Sequence, residues 1–349
     1  MKKTLQHIFI SLFLALCLLP VIGMPLFGES SGGANEIAAP RPQWGPTVLN
    51  QVSDYIADRF ALRQELVSAW SWLHERLLGS SAEEQVVLGR EGWLYYGETL
   101  DDYAGLAMSE EELRLCAEHL RTLQDYLDSQ GVQFLFTVAP NKNSLYPERM
   151  PGRYPAGHEN SNLARLTPIL EEYGVRCCDL TGPLSERVLY YATDSHWTAE
   201  GAALAADTLL AQLGKDTDFA AGPFGTGDAR PGDLYEMLYP TGRGREAEVL
   251  YLPGHAHEAL GPTNKGNAVT IDTACPGQEG KLLCFRDSFG IALYPYLADA
   301  YGSATFTRRT AYDLSWYAGQ GYDTVLIELV ERNLPQLLQE PELPHGGHF

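Results

Sequence analysis

Apolar positions along the chain change period several times, and each change predicts a different element. From Ile8 to about Phe27 they run almost unbroken behind Lys2 and Lys3. The stretch Ile8–Leu19 has the length of a secretory h-region. Counting on through Val21, Ile22 and Leu26 approaches a spanning helix, although Pro20 and Pro25 shorten any regular one. Residues 1–27 therefore read as a signal peptide or membrane anchor; an uncleaved anchor is favoured, with the bulk of the chain exported. Gly32-Gly33-Ala34 is a weak cleavage candidate, and Leu16 is too large for Cys17 to be a lipoprotein cysteine. Residues 28–45, rich in Gly, Pro, Ser and Ala, read as a linker. From 48 to 78 Val52, Ile56, Phe60, Leu66, Trp70, Leu73 and Leu77 recur at helical spacing, which predicts one long or two short amphipathic helices.

A turn at Gly89–Gly92 then leads into the aromatic run Trp93–Tyr96, read as a short strand. The regular part starts at Ser109, which forms a capping-box pattern with Glu112 and opens a helix that Gly131 ends. Val132–Ala139 is nearly all apolar, as buried parallel strands tend to be. A helix over Leu163–Tyr173 and a strand over Val175–Leu180 continue the rhythm, followed by a helix over Ala199–Leu213. Residues 215–266 break it and read as an irregular insertion, a lid or glycan-contacting region. Strands resume at Ala268–Thr273 and Lys281–Phe285, then a helix at Ile291–Ala300 and a last buried strand at Thr324–Leu329. The fold class is α/β, a parallel sheet with helices on both faces, spanning residues 46–335 and followed by a flexible tail over 336–349.

Composition narrows the partners. A net charge of -20 disfavours nucleic acid and anionic membrane surfaces, and suits neutral or cationic glycans or plain solubility outside the cell. Beyond the anchor, Cys116, Cys177, Cys178, Cys275 and Cys284 are odd in number and irregular in spacing, so neither a disulfide framework nor a zinc site is expected. Buried thiols are the default for them, with a Cys275–Cys284 bridge left open. His255-Ala256-His257 lacks partner ligands at recognisable spacing, and His345 and His348 fall in the tail; no metal and no cofactor are expected.

The candidate chemistry sits in two segments. Asp194 and His196 stand two residues apart just before a helix, and Ser288 follows the strand ending at Phe285. An Asp that orients a His, with a Ser on a strand-to-helix turn, makes the parts of a serine acyl-transfer site. The blander roles are a helix N-cap for Ser288 and a packed loop histidine beside Trp197 for His196. Asp287 reads as a residue that turns the loop. Arg286 is left between binding a substrate carboxylate and pairing with Asp287. Lys142, beyond the strand that ends Ala139-Pro140-Asn141, reads as a residue bordering the site or held in a structural ion pair. Glu328, and Glu331 beside Arg332, read as ion pairs at the same rim.

These residues carry a resemblance. Asp194-Ser195-His196-Trp197 resembles the Asp-x-His-Trp signature of the DHHW proteins and the periplasmic alginate O-acetyltransferases, which are similar to SGNH hydrolases with the Asp/His block placed before the Ser block. Val87–Tyr95, Val138–Pro147 and Arg286–Gly290 match as well, in the expected order. Arg286 stands where the SGNH pattern has Gly, in agreement with the DHHW-like version, and the SGNH Asn block has no clear counterpart. The resemblance implies an SGNH-like (flavodoxin-like) fold, with Ser288, His196 and Asp194 as catalytic residues. Arg286, Lys142 and Trp197 are candidates for substrate or oxyanion contacts. It further implies O-acetyl transfer to a cell-surface polysaccharide at the outer face of the cytoplasmic membrane, or after secretion if the N-terminus is cleaved. A membrane-bound O-acyltransferase would supply the acyl group. The same residues would serve a carbohydrate O-acetyl esterase, and a silent glycan-binding scaffold could keep the fold.

Overall fold

The computed structural model describes residues 2–30, 39–154, 160–244, 246–261, 268–309, 312–344 and 349. In chain order the strands are β1 (Val86–Leu88), β2 (Leu94–Tyr96), β3 (Gln133–Ala139), β4 (Cys177–Asp179), β5 (Phe224–Arg230), β6 (Glu246–Tyr251), β7 (Glu258–Leu260), β8 (Thr270–Ala274), β9 (Lys281–Phe285), β10 (Ser303–Thr307) and β11 (Thr324–Val330). The helices are α1 (Lys2–Phe27), α2 (Val48–Arg59), α3 (Arg63–Leu78), α4 (Leu100–Tyr103), α5 (Glu110–Ser129), α6 (Lys142–Leu145), α7 (Asn162–Glu172), α8 (Thr181–Ser185), α9 (Ala199–Gln212), α10 (Asp233–Leu238) and α11 (Gly290–Asp299).

Two units divide the chain, one of residues 1–87 with 231–245 and the other of residues 88–230 with 246–349. The unit that holds the α/β sheet thus starts at residue 88, and residues 46–87 and 231–245, a piece of the predicted insertion, fall in the other unit. In the first unit α2 and α3 are separate helices, because Leu62 between them adopts a left-handed φ of 63°. Both ends of the presumed linker are held: Ser30 N–H donates to Arg59 O, and Ala39 N–H to the Asp58 carboxylate. Gly32–Ala34 lies outside the described residues. α1 is one continuous helix of 26 residues. Among the described residues no helix is long and apolar enough to cross a membrane.

The second unit is built on a seven-stranded sheet in the order β4-β3-β11-β9-β10-β8-β7. From β4 to β10 all neighbours are parallel, whereas β8 and β7 join antiparallel. The sheet is therefore mixed and not purely parallel. β7 arises from the segment read as irregular; three residues carry too little alternation to be seen. Counted from β9, the parallel strands β10-β9-β11-β3-β4 follow the flavodoxin-like order 2-1-3-4-5. Counted from β3, the same sheet is a circular permutation of that order.

Period-two alternation assigns the two faces. Phe134, Phe136 and Val138 on β3, Leu283 and Phe285 on β9, and Val325, Ile327 and Leu329 on β11 share one core with α5 and α7. α5 is fixed by the capping box, Ser109 Oγ accepting from Glu112 N and Glu112 returning the bond, and turns Leu113, Leu120 and Leu127 inward. Each such buried leucine contributes about 2 kcal/mol. α11 lies on the other face: a Cβ on its first residue, Gly290, would sit 3.0 Å from the carboxylate of Glu328, the residue between Ile327 and Leu329. α9 packs against α11 there.

The stretch 336–349 is no loose tail where it is described. Leu337 is buried, and Phe349 packs edge-on against Tyr126 and donates its N–H to Gln130. His345 and His348 lie outside the described residues. All six cysteines are free thiols. Cys275 turns its Sγ to Asp299 O and Cys284 to Phe285 O, so the Cys275–Cys284 bridge does not form. Burial pushes the Cys116 thiol up to about 12.

Candidate active site

The segment before α9 folds back on itself as a short hairpin. Thr198 N–H donates to Leu189 O and Tyr191 N–H to His196 O, closing the hairpin around residues 192–195. The backbone at the tip is turned. Asp194 Oδ1 accepts the N–H of His196 at 2.9 Å, an Asx-type turn that brings the two side chains together. The same oxygen lies 2.7 Å from His196 Nδ1. Thr198 then caps α9, its hydroxyl accepting from Gly201 N. Gly201 is obligatory, since a Cβ there would meet Leu189 O at 2.6 Å.

The second half of the site comes from β9. The chain leaves Phe285 and turns through Arg286, Asp287 and Ser288 into α11. Asp287 builds that turn as expected: Oδ1 accepts Phe289 N–H, while Oδ2 accepts Val330 N–H at 2.7 Å and Asn333 Nδ2 at 2.8 Å. α11 has no side-chain cap, so Ser288 does not serve as one. Its Oγ instead lies 2.9 Å from His196 Nε2. Ser288, His196 and Asp194 are thereby joined in one hydrogen-bonded chain. With Nδ1–H donated to Asp194, Nε2 is free of its proton and can accept one from the Ser288 hydroxyl. β9 and β11 flank the point where the permuted strand order reverses, the usual place for a site in such sheets.

Burial pushes the Asp194 carboxyl up, but the hydrogen bonds and charge of His196, aided by Arg230, overcome this and hold it well below the usual carboxylate range. Arg230 Nη1 reaches Asp194 Oδ2 at 3.1 Å and its guanidinium lies 4.5 Å over the Tyr191 ring. Arg230 ends β5 and Glu246 opens β6, the antiparallel ribbon formed by part of the presumed insertion. Glu246 accepts the N–H groups of Ala192 and Thr193 and the Thr193 hydroxyl, fixing the hairpin tip. Neither residue stands out in the sequence. Single charges in a Gly-rich, aperiodic stretch carry no local signal, and only the pairing of β5 with β6 brings them here.

Three expected contact residues have other work. Lys142 is buried and donates from Nζ to Leu94 O, Ala192 O and Asp194 O at 2.7, 2.8 and 2.9 Å. It is a staple beneath the hairpin, not a residue facing substrate. Arg286 is also buried, donating to Asp287 O and Ala268 O, and burial lowers its pKa. Its guanidinium thus holds backbone on both sides of the Ser288 turn. Trp197 is fully buried and donates to Phe289 O at 3.1 Å, tying the hairpin to the Ser288 turn while its ring edges the cleft. Glu328 accepts Asp287 N–H, and burial raises its pKa well above the usual carboxylate value. Glu331 accepts from Asn141 N and Ser144 Oγ, while Arg332 lies over Tyr96 and Phe289, so Glu331 and Arg332 engage different partners.

Asp194, His196 and Ser288 open onto a cleft of about 470 Å³ whose walls include Arg230, Tyr251 and Tyr296.

Residues 86–249, just under half of the chain, match the family model described as SGNH hydrolase-like domain, acetyltransferase AlgX. The chain is similar to the alginate O-acetyltransferases. It is 25% identical over 228 residues to the probable alginate O-acetylase AlgJ of Pseudomonas syringae pv. tomato, covering 64% of this chain and 56% of that one. It is 27% identical over 277 residues to AlgJ of Pseudomonas fluorescens, covering 72% and 67%. The chain thus spans little more than half the length of the first of these relatives. Bacillus cereus PatB1 shares the fold, with a TM-score of 0.56 at 18% identity over 71% of this chain and 96% of that one. So does a DHHW family protein from Eubacterium siraeum, with a TM-score of 0.53 at 16% identity over 65% and 89%. The family-model match ends at residue 249, before Ser288, and it is the geometry that joins this serine to the Asp/His half.

Proposed function

We propose that this protein is an extracytoplasmic O-acetyltransferase that modifies a cell-surface polysaccharide through an acyl-serine intermediate. The observation that carries the reading is the chain Ser288 Oγ–His196 Nε2–Asp194, with contacts of 2.9 and 2.7 Å. Ser288 Oγ attacks the carbonyl carbon of the donor ester as its proton passes to His196 Nε2. The collapsing tetrahedral intermediate expels the donor alcohol, which takes that proton and leaves Ser288 acetylated. A sugar hydroxyl then loses its proton to His196 and attacks the acyl carbon; Ser288 leaves and recovers the proton. Asp194 stabilises the imidazolium in both halves. Main-chain N–H groups at the start of α11, where the helix dipole is positive, receive the oxyanion.

The likeness to probable alginate O-acetylases supports a polysaccharide acceptor. The net charge of -20 favours a neutral or cationic polymer. In this reading α1, with the apolar run from Ile8 that follows Lys2 and Lys3, holds the protein at the outer face of the cytoplasmic membrane, and a membrane-bound O-acyltransferase delivers the acyl group.

The test uses the detergent-solubilised full chain with a chromogenic acetyl ester and candidate oligosaccharides, following ester loss and sugar mass gain. Ser288→Ala is expected to abolish both, at least 10³-fold, with an unchanged melting temperature. Ester loss that persists in Ser288→Ala would sink the reading, and acetyl passing only to water would make the protein an esterase.

A further inference from the structure

A second histidine faces the same cleft, and it too is oriented by a buried aspartate. Asp299, at the end of α11, is largely buried and gathers the loop 255–257. Its Oδ2 lies 2.7 Å from His255 Nδ1; its Oδ1 lies 2.7 Å from His257 Nδ1 and accepts the N–H groups of Ala256 and His257 at 2.9 Å. His255 lines the cleft that holds Ser288 and His196, with 27% of its side chain exposed. Its ring is packed edge-on to Tyr296 and tilted against Tyr251, with centroids 4.9 and 5.3 Å apart. Because Nδ1 is committed to Asp299, Nε2 is left as the ring's free hydrogen-bonding atom. Tyr251 also lines a neighbouring cavity of about 620 Å³, whose wall includes Ala256 and Asp299. The His255–Asp299 pair therefore stands where one cavity meets the next, and a polymer acceptor must extend past its reacting unit.

We infer that His255 and Tyr251 form an acceptor subsite, in which His255 Nε2 accepts a hydrogen bond from a glycan hydroxyl while the Tyr251 ring packs on the sugar face. This rests on the proposed transferase reading and adds how the acceptor is held. Asp299 is a positioning residue that fixes the tautomer and ring plane of His255. Its carboxyl is pushed up by burial, yet held well below the usual range by the two histidines and the His257 N–H. The three side chains also offer ligand atoms within 4.8 Å of one another, as a metal site would. The contacts favour hydrogen bonding. Zinc at its usual ~2.0–2.1 Å bonds would spread the donors, whereas each nitrogen sits at hydrogen-bond distance from its own carboxylate oxygen, one already taken by two backbone N–H groups.

Acceptor binding is measured first, by calorimetry of unacetylated oligosaccharides on the inactive Ser288→Ala full chain, so the result does not depend on turnover. Adding His255→Ala is expected to raise Kd about tenfold, the worth of one neutral hydrogen bond, and His255→Gln, which keeps an acceptor atom, to recover part of it. In the active protein His255→Ala should leave ester consumption without acceptor within about twofold of the parent and raise the KM for acceptor. Unchanged affinity in the double variant would overturn the subsite. So would an equal loss of acceptor-free ester consumption, which would place His255 in the acyl-transfer step itself. One mole of metal retained after dialysis and lost in His255→Ala would replace the subsite with a metal centre. Failure of the transferase reading shows separately, as Ser288-independent ester loss.

Discussion

Lys142 shows how far a residue's type can mislead about its role. A lysine beyond the carboxyl end of a strand invites a substrate contact, and the sequence leaves Lys142 between the edge of the site and a structural ion pair. The fold turns it under the hairpin, where three carbonyl oxygens from two segments converge on one ammonium. What decides this is Leu94, some fifty residues away in sequence and brought in only by tertiary packing. Lys142→Met keeps the stem and deletes the donor; Ala192 O keeps the Leu94 N–H, but Leu94 O and Asp194 O lose this donor, at about 1–3 kcal/mol for each one left unsatisfied. Its melting temperature should fall by several degrees and its activity by tenfold or more, because the hairpin tip that aims Asp194 loses its support. A parent-like melting curve and rate would show that the staple is dispensable. Asp194, His196 and Ser288, by contrast, stand out as candidates in short strings of the sequence, and the fold brings them within hydrogen-bond reach of one another.

At the scale of elements, the sequence is most readable where period and punctuation agree. α5 has both a capping box and a clean apolar stripe, and β9 runs over the five residues its pattern marks, between the turn at Gly280 and the nucleophile turn. Reading fails in 215–266, where β5 is interrupted by Gly225 and Gly227 and β6 and β7 run six and three residues; Arg230 and Glu246, at the ends of β5 and β6, went unread with them. The nucleophile turn is also more constrained than its string suggests. A Cβ on Gly290 would lie 2.5 Å from Arg286 Cβ, too close to the backbone for a rotamer change to relieve. Gly290→Ala is therefore expected to cost about 1–3 kcal/mol by overpacking and to lower kcat by displacing Ser288 from His196. Denaturant titration and initial rates check this, and parent values in both would mean the turn yields.

On the scale of the whole molecule, buried carboxylates link stability to pH. Asp102, at the end of the segment before α5, binds Asn162 N–H and Asn141 Nδ2 and so joins three segments of the second unit. Burial, reinforced by the charge of Glu331, pushes its pKa up to about 7 against those bonds. The folded state therefore holds a proton that the unfolded chain gives up near pH 4. This contribution is fully present below that value and is lost as pH rises through about 7. Asp102→Asn should flatten the fall in melting temperature between pH 5 and 8, and an unaltered slope would assign the dependence elsewhere. The strand order was only half legible. Alternating helices and strands announced the parallel sheet, but nothing local tells which strand lies beside which, so the permuted order and its antiparallel edge came from the structure.

The turn that carries Ser288 hangs on Val330 and Asn333, and the strand ending at Val330 lies in the middle of the sheet. Asp194, His196 and Ser288 all leave the ribosome before that strand does. Until β11 threads between β3 and β9, the sheet exists as two unjoined halves and the serine has no fixed perch. A chain cut short of residue 333 therefore lacks the two groups that hold the turn on which Ser288 stands.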